Sequence, residues 1–446
     1  MASILYIAQF FSTESEPGGQ GQRHFKHASA LAEDGHAVTV ITSGCTTMQL
    51  SMHEGEAGEH PANIWLHPNL SIIKLPVAPL DKRSVISRAQ RYLAFSTKAL
   101  FMGLKLLFID RRKFHFVLGS SPPLLIALVA WMISVLARAD FYLEVRDLWS
   151  QTMAANGFIN NPLAIRANRW LESFLYKVSK KIIVVSPSFE GEIEAQVPGS
   201  QAKTEYIPNG ADMEFYQYPR LWRGSFLRNT EEERQLFQVN YAGVFSDYTK
   251  LETLLKAAAM LQEQTPEIRF NLVGGGYQFE KLRGLAEELK LRNVRFWGAL
   301  PKNRVSKFIM EGDLSIINYR KLGIFGQVLP NKLFDYLAAG RPILAGVPEG
   351  EVSRVLEESG AGLCVEPENV QAMAEKILWF YHNQSEGQKM GVRGQHYVSR
   401  KFHRNQLVEN FLELFPRVIQ LNPNRHRELA CPVDNIVPFP ATAQNR

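Results

Sequence analysis

The chain has 446 residues, with 50 Lys and Arg against 44 Asp and Glu, a formal charge of +6, and is 46% hydrophobic, 11% aromatic and 21% charged. That length suits two domains with separate cores, and that composition excludes a disordered, collagenous or wholly membrane-embedded protein. Cys45, Cys364 and Cys431 lie far apart, with no Cys/His spacing that closes a zinc site, so no disulfide framework is expected and a reducing compartment fits.

Residues 4–11 are an apolar run with no basic flank and no cleavage signal, which makes a buried strand rather than a leader. A Gly-rich loop (Pro17-Gly-Gly-Gln-Gly21), a helix over 23–33 and a strand over 37–41 follow. Short β-branched runs then recur at 116–118, 141–145 and 181–185, the alternation of a parallel α/β domain. A polar stretch at 216–238 interrupts it. The pattern restarts at 239–242, 270–273, 294–296, 314–317, 342–345 and 362–365, which predicts a second α/β domain and a ligand crevice at the facing strand ends. A helical pattern runs from 385 to 420, and 421–446 reads as an irregular tail. The longest apolar stretch, 122–137, falls short of the roughly 20 residues a spanning helix needs, so no transmembrane segment is expected.

The loop Gly18-Gly-Gln-Gly21 brings backbone amides close to an anion or a sugar ring, yet it fails as a dinucleotide fingerprint because His24 stands where the third Gly should be. A plain strand-to-helix turn explains it equally well. Arg146 and Asp147 leave a strand at the crevice end, where a functional pair or a structural ion pair both fit. Asn209 lies in the turn Ile207-Pro-Asn-Gly-Ala-Asp212, and Gly275 in the strand-end cluster Gly274-Gly-Gly276. If a helix starts at Asn331 behind Pro330, its free amides and the Lys332 ammonium meet at one point, an anion site by two mechanisms. Asp335, three residues on, shares that face and pairs a carboxylate for sugar hydroxyls with a cation for phosphate, unless the two form an ordinary i,i+3 ion pair.

Between Lys82 and Lys113 nine basic residues face one acid, Asp110, a local charge of +8. Arg91, Lys98 and Lys105 recur every seven residues, with Leu93, Phe95, Leu100, Phe101, Leu104, Leu107 and Phe108 between them. This reads as an interfacial helix on an anionic membrane, with nucleic acid the lesser alternative, since no base-reading module is recognisable.

In order, Pro17-Gly-Gly19, Arg146-Asp-Leu-Trp149, Val185-Ser-Pro-Ser188, the turn 207–212, Val273-Gly-Gly-Gly276, Phe296-Trp-Gly-Ala-Leu-Pro301 and the block 330–342 resemble the retaining glycosyltransferases of family four, and within them the bacterial surface-polysaccharide enzymes that use activated N-acetyl amino sugars. The resemblance implies an α/β GT-B fold of two facing Rossmann-like domains: an acceptor domain at 1–215, a linker at 216–238, a nucleotide-sugar domain at 239–400 and a helix at 401–420 crossing back. It implies Lys332 on the diphosphate and Asp335 on the ribose. Two departures stand out. The family's carboxylate pair becomes Gln327 and Asp335, and its Arg and Lys after the first strand of the second domain become Val244 and Thr249, with Lys250 one residue later. The expected catalytic residues are Lys332, Asp147 and Lys250. The expected substrate contacts are Gly18, Gly19, Arg146, Asn209, Gly275, Trp297, Leu300, Arg320, Gln327, Asn331 and Asp335.

The chain has no Asp-x-Asp to hold a divalent ion on a diphosphate, so cationic side chains and helix amides would do that work and no metal or other cofactor is expected. The expected protein is a metal-independent retaining transferase, cytoplasmic and peripheral on the inner face of the membrane, acting on a nucleotide-sugar donor and a lipid-linked or glycan acceptor. A nucleotide-sugar epimerase of the same fold, or a non-catalytic nucleotide-sugar-binding homologue, are the alternatives.

Overall fold

A computed structural model describes residues 1–12, 21–44, 63–77, 85–155, 157, 161–217 and 225–416. The apolar runs become two sheets. The first holds β1 (Ser3–Ile7), β2 (Ala37–Ser43), β3 (Asn63–His67), β4 (Leu70–Leu75), β5 (Phe116–Ser121), β6 (Asp140–Val145), β7 (Lys181–Val184) and β8 (Thr204–Tyr206), in the order β3-β4-β2-β1-β5-β6-β7-β8. Every neighbour is parallel except β3 against β4. The second holds β9 (Phe237–Ala242), β10 (Ile268–Val273), β11 (Val294–Gly298), β12 (Leu314–Asn318), β13 (Ile343–Gly346) and β14 (Gly362–Val365), all parallel, in the order β11-β10-β9-β12-β13-β14.

Parallel sheets are covered on both faces, which is why their strands read as continuous apolar runs. In β1, Ile4 and Tyr6 enter one core and Leu5 and Ile7 the other, as a period of two requires. The sequence reading missed β3, β4 and β8. In β4 the polar Ser71 and Lys74 break the apolar run, and β8 has only three residues, too few to show a period. The stretch expected as a linker is partly structured: Thr230 and Glu233 form a capping box on the helix Glu231–Gln235, and β9 begins inside it.

The C-terminal end of the described chain returns to the first domain. Helix Gln384–Lys401 ends at Phe402, and the turn Pro208-Asn-Gly210 receives the crossing segment. The Ala211 amide donates to the Phe402 carbonyl (2.9 Å), the Arg404 amide donates to the Ala211 carbonyl (3.0 Å), and Arg404 pairs with Asp212 at 2.6 Å. Gly210 has φ +67°, and a Cβ there would lie 2.6 Å from Leu407 Cδ1. Helix Arg404–Leu412 then carries Leu407 and Phe411, followed by Phe415, into the first domain's core, and Phe411 stacks on His27 with ring centres 3.8 Å apart. Fully burying each Phe contributes roughly 1.5–3 kcal/mol, so the crossing is firmly seated.

Helix Val85–Leu104 runs on into a π-helical turn, Lys105–Ile109. It docks Phe95, Ala99 and Leu106 against helix Leu124–Ala137, and Gly103 sits where any side chain would strike Ile133. Contrary to the expectation that no segment qualifies, Ala89–Ile109 is long and apolar enough to cross a membrane by length and composition alone. A second correction concerns charge: Arg91 is buried at 4% exposure and does not share an outer face with Lys98 and Lys105. Lys82 and Arg83 lie outside the described residues.

Candidate active site

At the end of β6, Glu144 is fully buried and gathers three partners. Tyr6 Oη donates at 3.1 Å and Arg23 Nε at 2.7 Å, and His24 Nε2 lies at 2.9 Å. Burial alone would raise the Glu144 carboxyl, but His24 and Arg23 outweigh it and hold the group well below the usual carboxylate range. Arg23 also donates to the carbonyls of Pro208 (2.6 Å) and Ile207 (2.7 Å), tying the first helix, Gln22–Glu33, to the turn that receives the crossing segment. That helix starts at Gly21, φ +102°, where a Cβ would run into the backbone of Phe10 and Phe11. The glycine is therefore required by the chain path. Gly18 and Gly19 lie outside the described residues.

Ser120, at the end of β5, joins this network to the next residues. Its Oγ lies 3.0 Å from His24 Nε2 and accepts from Arg146 Nε at 3.1 Å, while Arg146 Nη2 donates to the Pro122 carbonyl at 3.1 Å. Arg146 is thus held by its own domain, through Ser120 and Pro122 rather than through an ion pair with Asp147. Asp147 is half-buried at the cleft, and burial, partly offset by Arg146, pushes its carboxyl up to about 6. Tyr248 and Tyr319 of the second domain lie within electrostatic reach of its charge.

On the other side, helix Asn331–Ala338 starts behind Pro330, and Lys332 is its second residue. The Lys332 ammonium donates to Tyr241 Oη at 2.8 Å and lies 4.1 Å from the centre of the Tyr241 ring and 5.9 Å from that of Tyr319. Burial pushes its pKa down to about 7. Beneath it the strand-end glycines pack backbone to backbone. A Cβ on Gly243 would lie 2.7 Å from the Lys332 Nζ, and one on Gly274 would overlap the Gly243 carbonyl. The Phe245 amide donates to the Gly275 carbonyl at 2.9 Å. Two loops run alongside: the Arg320 amide donates to the Tyr248 carbonyl (2.8 Å) and Asn318 Nδ2 to the Lys250 carbonyl (2.6 Å), which brings Lys250 and Arg320 to the same rim. Tyr248, Tyr319 and Phe325 stack there, with ring centres 5.6–6.2 Å apart.

The structure therefore gathers Lys332, Asp147, Lys250, Arg320 and Gly275 at one cleft, with Asn331 exposed at its helix start and Asn209 in the crossing turn. Three expected contacts, Asp335, Trp297 and Leu300, are engaged by other groups of the protein. Asp335 pairs with Lys302 at 2.5 Å and accepts from Tyr216 Oη at 3.0 Å, so this carboxylate is occupied inside its own domain and makes no ion pair with Lys332. Trp297 donates its indole N–H to Asn271 Oδ1 (3.2 Å) and is covered by Arg295 at 3.8 Å, and Leu300 packs with it against the core. Gln327 is a different case: its amide nitrogen donates to Glu192 of the first domain at 2.9 Å, and its amide oxygen is left without a partner among the described residues. Sequence reasoning missed the Glu144 cluster, Tyr241, Tyr248 and Tyr319. The tyrosines sit in or beside apolar strands and read as core, and the Glu144 partners come from elements more than a hundred residues away.

A family model described as Glycosyl transferase 4-like domain matches residues 18–210, and one described as Glycosyl transferases group 1 matches residues 226–397. Between them they take in both walls of the cleft and every strand of the two sheets except β1. The chain belongs to the family-four glycosyltransferases. This glycosyltransferase is 25% identical to the probable glycosyltransferase WbjE of Pseudomonas aeruginosa, over 72% of this chain and 78% of that one. It is 24% identical to the putative colanic acid biosynthesis glycosyl transferase WcaI of Escherichia coli K12, over 78% and 84%. Its fold is GT-B. Sucrose-phosphate synthase from Thermosynechococcus elongatus superposes with a TM-score of 0.72 at 18% identity, over 93% of this chain and 98% of that one. Anabaena HepE, solved in complex with UDP-glucose, superposes with a TM-score of 0.67 at 15% identity, over 93% and 99%.

Proposed function

We propose that this glycosyltransferase moves a sugar, in our reading an N-acetyl amino sugar, from a nucleotide-diphosphate donor to a membrane-held or polysaccharide-precursor acceptor, with retention and without a metal ion. The observation that carries the reading is that Tyr319 lies 5.9 Å from the Lys332 ammonium of its own domain and within electrostatic reach of Asp147 from the opposite one. Relatives named for colanic acid and teichuronic acid biosynthesis support a polysaccharide product, and the UDP-glucose complex of HepE supports a UDP donor. The acceptor hydroxyl attacks the anomeric carbon from the face that the diphosphate leaves. A carbon–oxygen bond to the acceptor forms as the bond to the phosphate oxygen breaks, and the hydroxyl proton passes to the leaving phosphate oxygen. Lys332 and the amides at its helix start stabilise the leaving charge, and Asp147 orients the acceptor hydroxyl.

The test is a donor panel. UDP-, GDP- and ADP-sugars are added with EDTA and no acceptor, and melting temperature and diphosphate release are followed. We expect one nucleotide to raise the melting temperature and to be slowly hydrolysed with EDTA present. Hydrolysis that stops with EDTA and returns with magnesium rules out the metal-free reading, and conversion to a different UDP-sugar rules out transfer in favour of epimerisation.

The membrane part rests on an exposed apolar face. On the helix spanning 85–109, Leu93, Phe101, Phe108 and Ile109 are exposed, and Lys98 and Lys105 flank them at spacings of three and four. Val135 and Leu136 of the helix packed against it are exposed too. Lys98 donates to the Pro76 carbonyl at 2.7 Å and Lys105 lies 3.5 Å from Asp110, both at the surface, and large apolar side chains beside such exposed lysines suit a lipid surface carrying negative charge. In vesicle flotation the protein is expected to rise with vesicles containing phosphatidylglycerol and to stay down with pure phosphatidylcholine, and Phe101→Ser/Phe108→Ser to stay down with both. Equal recovery with both vesicles removes the electrostatic argument.

A further inference from the structure

Gln327 closes the 3-10 turn Gly323–Gln327, just ahead of the Lys332 helix, and it reaches across the cleft. Its Nε2 donates to Glu192 Oε1 at 2.9 Å, and the other oxygen of Glu192 accepts from Gln151 Nε2 at 2.9 Å. Glu192 lies on helix Pro187–Gln196, and Gln151 on helix Trp149–Ala155, which begins two residues after Asp147. Ser186 Oγ, at the start of the Glu192 helix, donates to the Gln327 carbonyl at 2.5 Å, and the Ser188 amide donates to Glu351 Oε1 at 3.1 Å. The cleft is thus bridged from the acceptor wall to the donor wall.

A carboxylate only accepts hydrogen bonds, so Glu192 dictates which way the Gln327 amide is turned: the NH2 toward Glu192, the oxygen away from it. That oxygen is buried and has no hydrogen-bond partner among the described residues. A buried acceptor left unpaired keeps its full desolvation cost, and a ligand donor removes it. The identity of residue 327 follows from the same contact. A carboxylate at 327 would stand 2.9 Å from the Glu192 carboxylate, and like charges at that distance would force the walls apart.

We propose that Glu192 is a positioning residue for the donor: acting through Gln327, it aims the amide oxygen to accept from a hydroxyl or amide N–H of the donor sugar, and so makes donor binding and domain closure one event. The proposal rests on the transferase reading above and adds to it the origin of the missing carboxylate. The charge comes from the opposite domain.

The test is a reciprocal swap in the full chain. Kinetics of UDP-glucose and UDP-N-acetylglucosamine hydrolysis are measured together with small-angle scattering in the presence of UDP. Gln327→Glu alone is expected to raise the donor KM by about tenfold or more and to expand the scattering profile. Glu192→Gln alone is expected to raise KM about threefold with little change in kcat, because the amide is no longer held in one orientation. In Glu192→Gln/Gln327→Glu the chain of bonds is rebuilt: Gln151 donates to residue 192, residue 192 donates to residue 327, and one oxygen of 327 remains for the sugar. KM and the compact profile are expected to return to within about threefold of wild type. Additive losses in the double variant, with melting temperatures unchanged, overturn the proposal. A wild type that hydrolyses neither probe, while the swap restores the compact profile, counts against the transferase reading and not against the bridge.

Discussion

Lys332→Ala is expected to lower donor turnover by about 10²–10³-fold, the usual effect of removing one preorganised group from a developing charge in a site that excludes water. The effect is expected mainly in kcat, because the ammonium meets most of its charge as the diphosphate leaves. It should also change the pH profile. Lys332 carries its proton below about 7 and loses it above, whereas Asp147 is ionised only above about 6. Activity that needs the lysine protonated and the aspartate ionised rises through pH 6 and falls through pH 7, giving a narrow bell in kcat/KM for the free enzyme. Bound diphosphate pairs with the ammonium and raises its pKa, so the alkaline limb of kcat lies at higher pH than that of kcat/KM. The alanine variant should keep the acid limb and lose the alkaline one. Wild-type turnover in Lys332→Ala, or an unchanged alkaline limb, would falsify its role on the diphosphate.

The second large effect is on stability. Glu144→Ala leaves the buried Arg23 guanidinium without its carboxylate and is expected to cost about 3–5 kcal/mol, on the order of 10 °C in melting temperature. The same cluster predicts acid sensitivity. Burial holds His24, and more strongly His27, below their ordinary values, with Glu144 opposing the shift in each. In the folded state they therefore stay neutral where the unfolded chain takes up protons, and stability falls as pH drops below about 6.5. Glu144, held low, adds stability that is present above about 4.5 and lost as pH falls further toward its folded value. Urea titrations from pH 7.5 down to about 3 should show both losses in wild type, and Glu144→Ala should lack the part below about 4.5. A Glu144→Ala protein as stable as wild type at pH 7.5 would mean that Arg23 finds another partner.

The sequence alone settled what depends on near neighbours. Alternating apolar runs and turns marked both parallel sheets, since a strand buried on two faces must be apolar along its length. Pro330, the helix behind it and Lys332 are local in the same way: the fixed φ of proline and the free amides of a first turn place a cation and helix dipole together whatever the rest of the chain does. The order of motifs from 17 to 342 carried the family for the same reason.

What only the tertiary structure decided is which partner each polar side chain takes. Asp335 and Lys332 are one helical turn apart, yet the first pairs with Lys302 and the second with Tyr241, 91 residues away. Gln327 looked like a lost carboxylate until the fold set Glu192 against it from 135 residues up the chain. Glu144, one residue inside a strand end, became the hub of a domain because the topology delivered Tyr6, Arg23 and His24 to it. Spacing along a chain constrains contacts within a few residues. The long-range pairs are set by strand order and by the closing of two domains on each other, and the chemistry of this cleft is built almost entirely from such pairs.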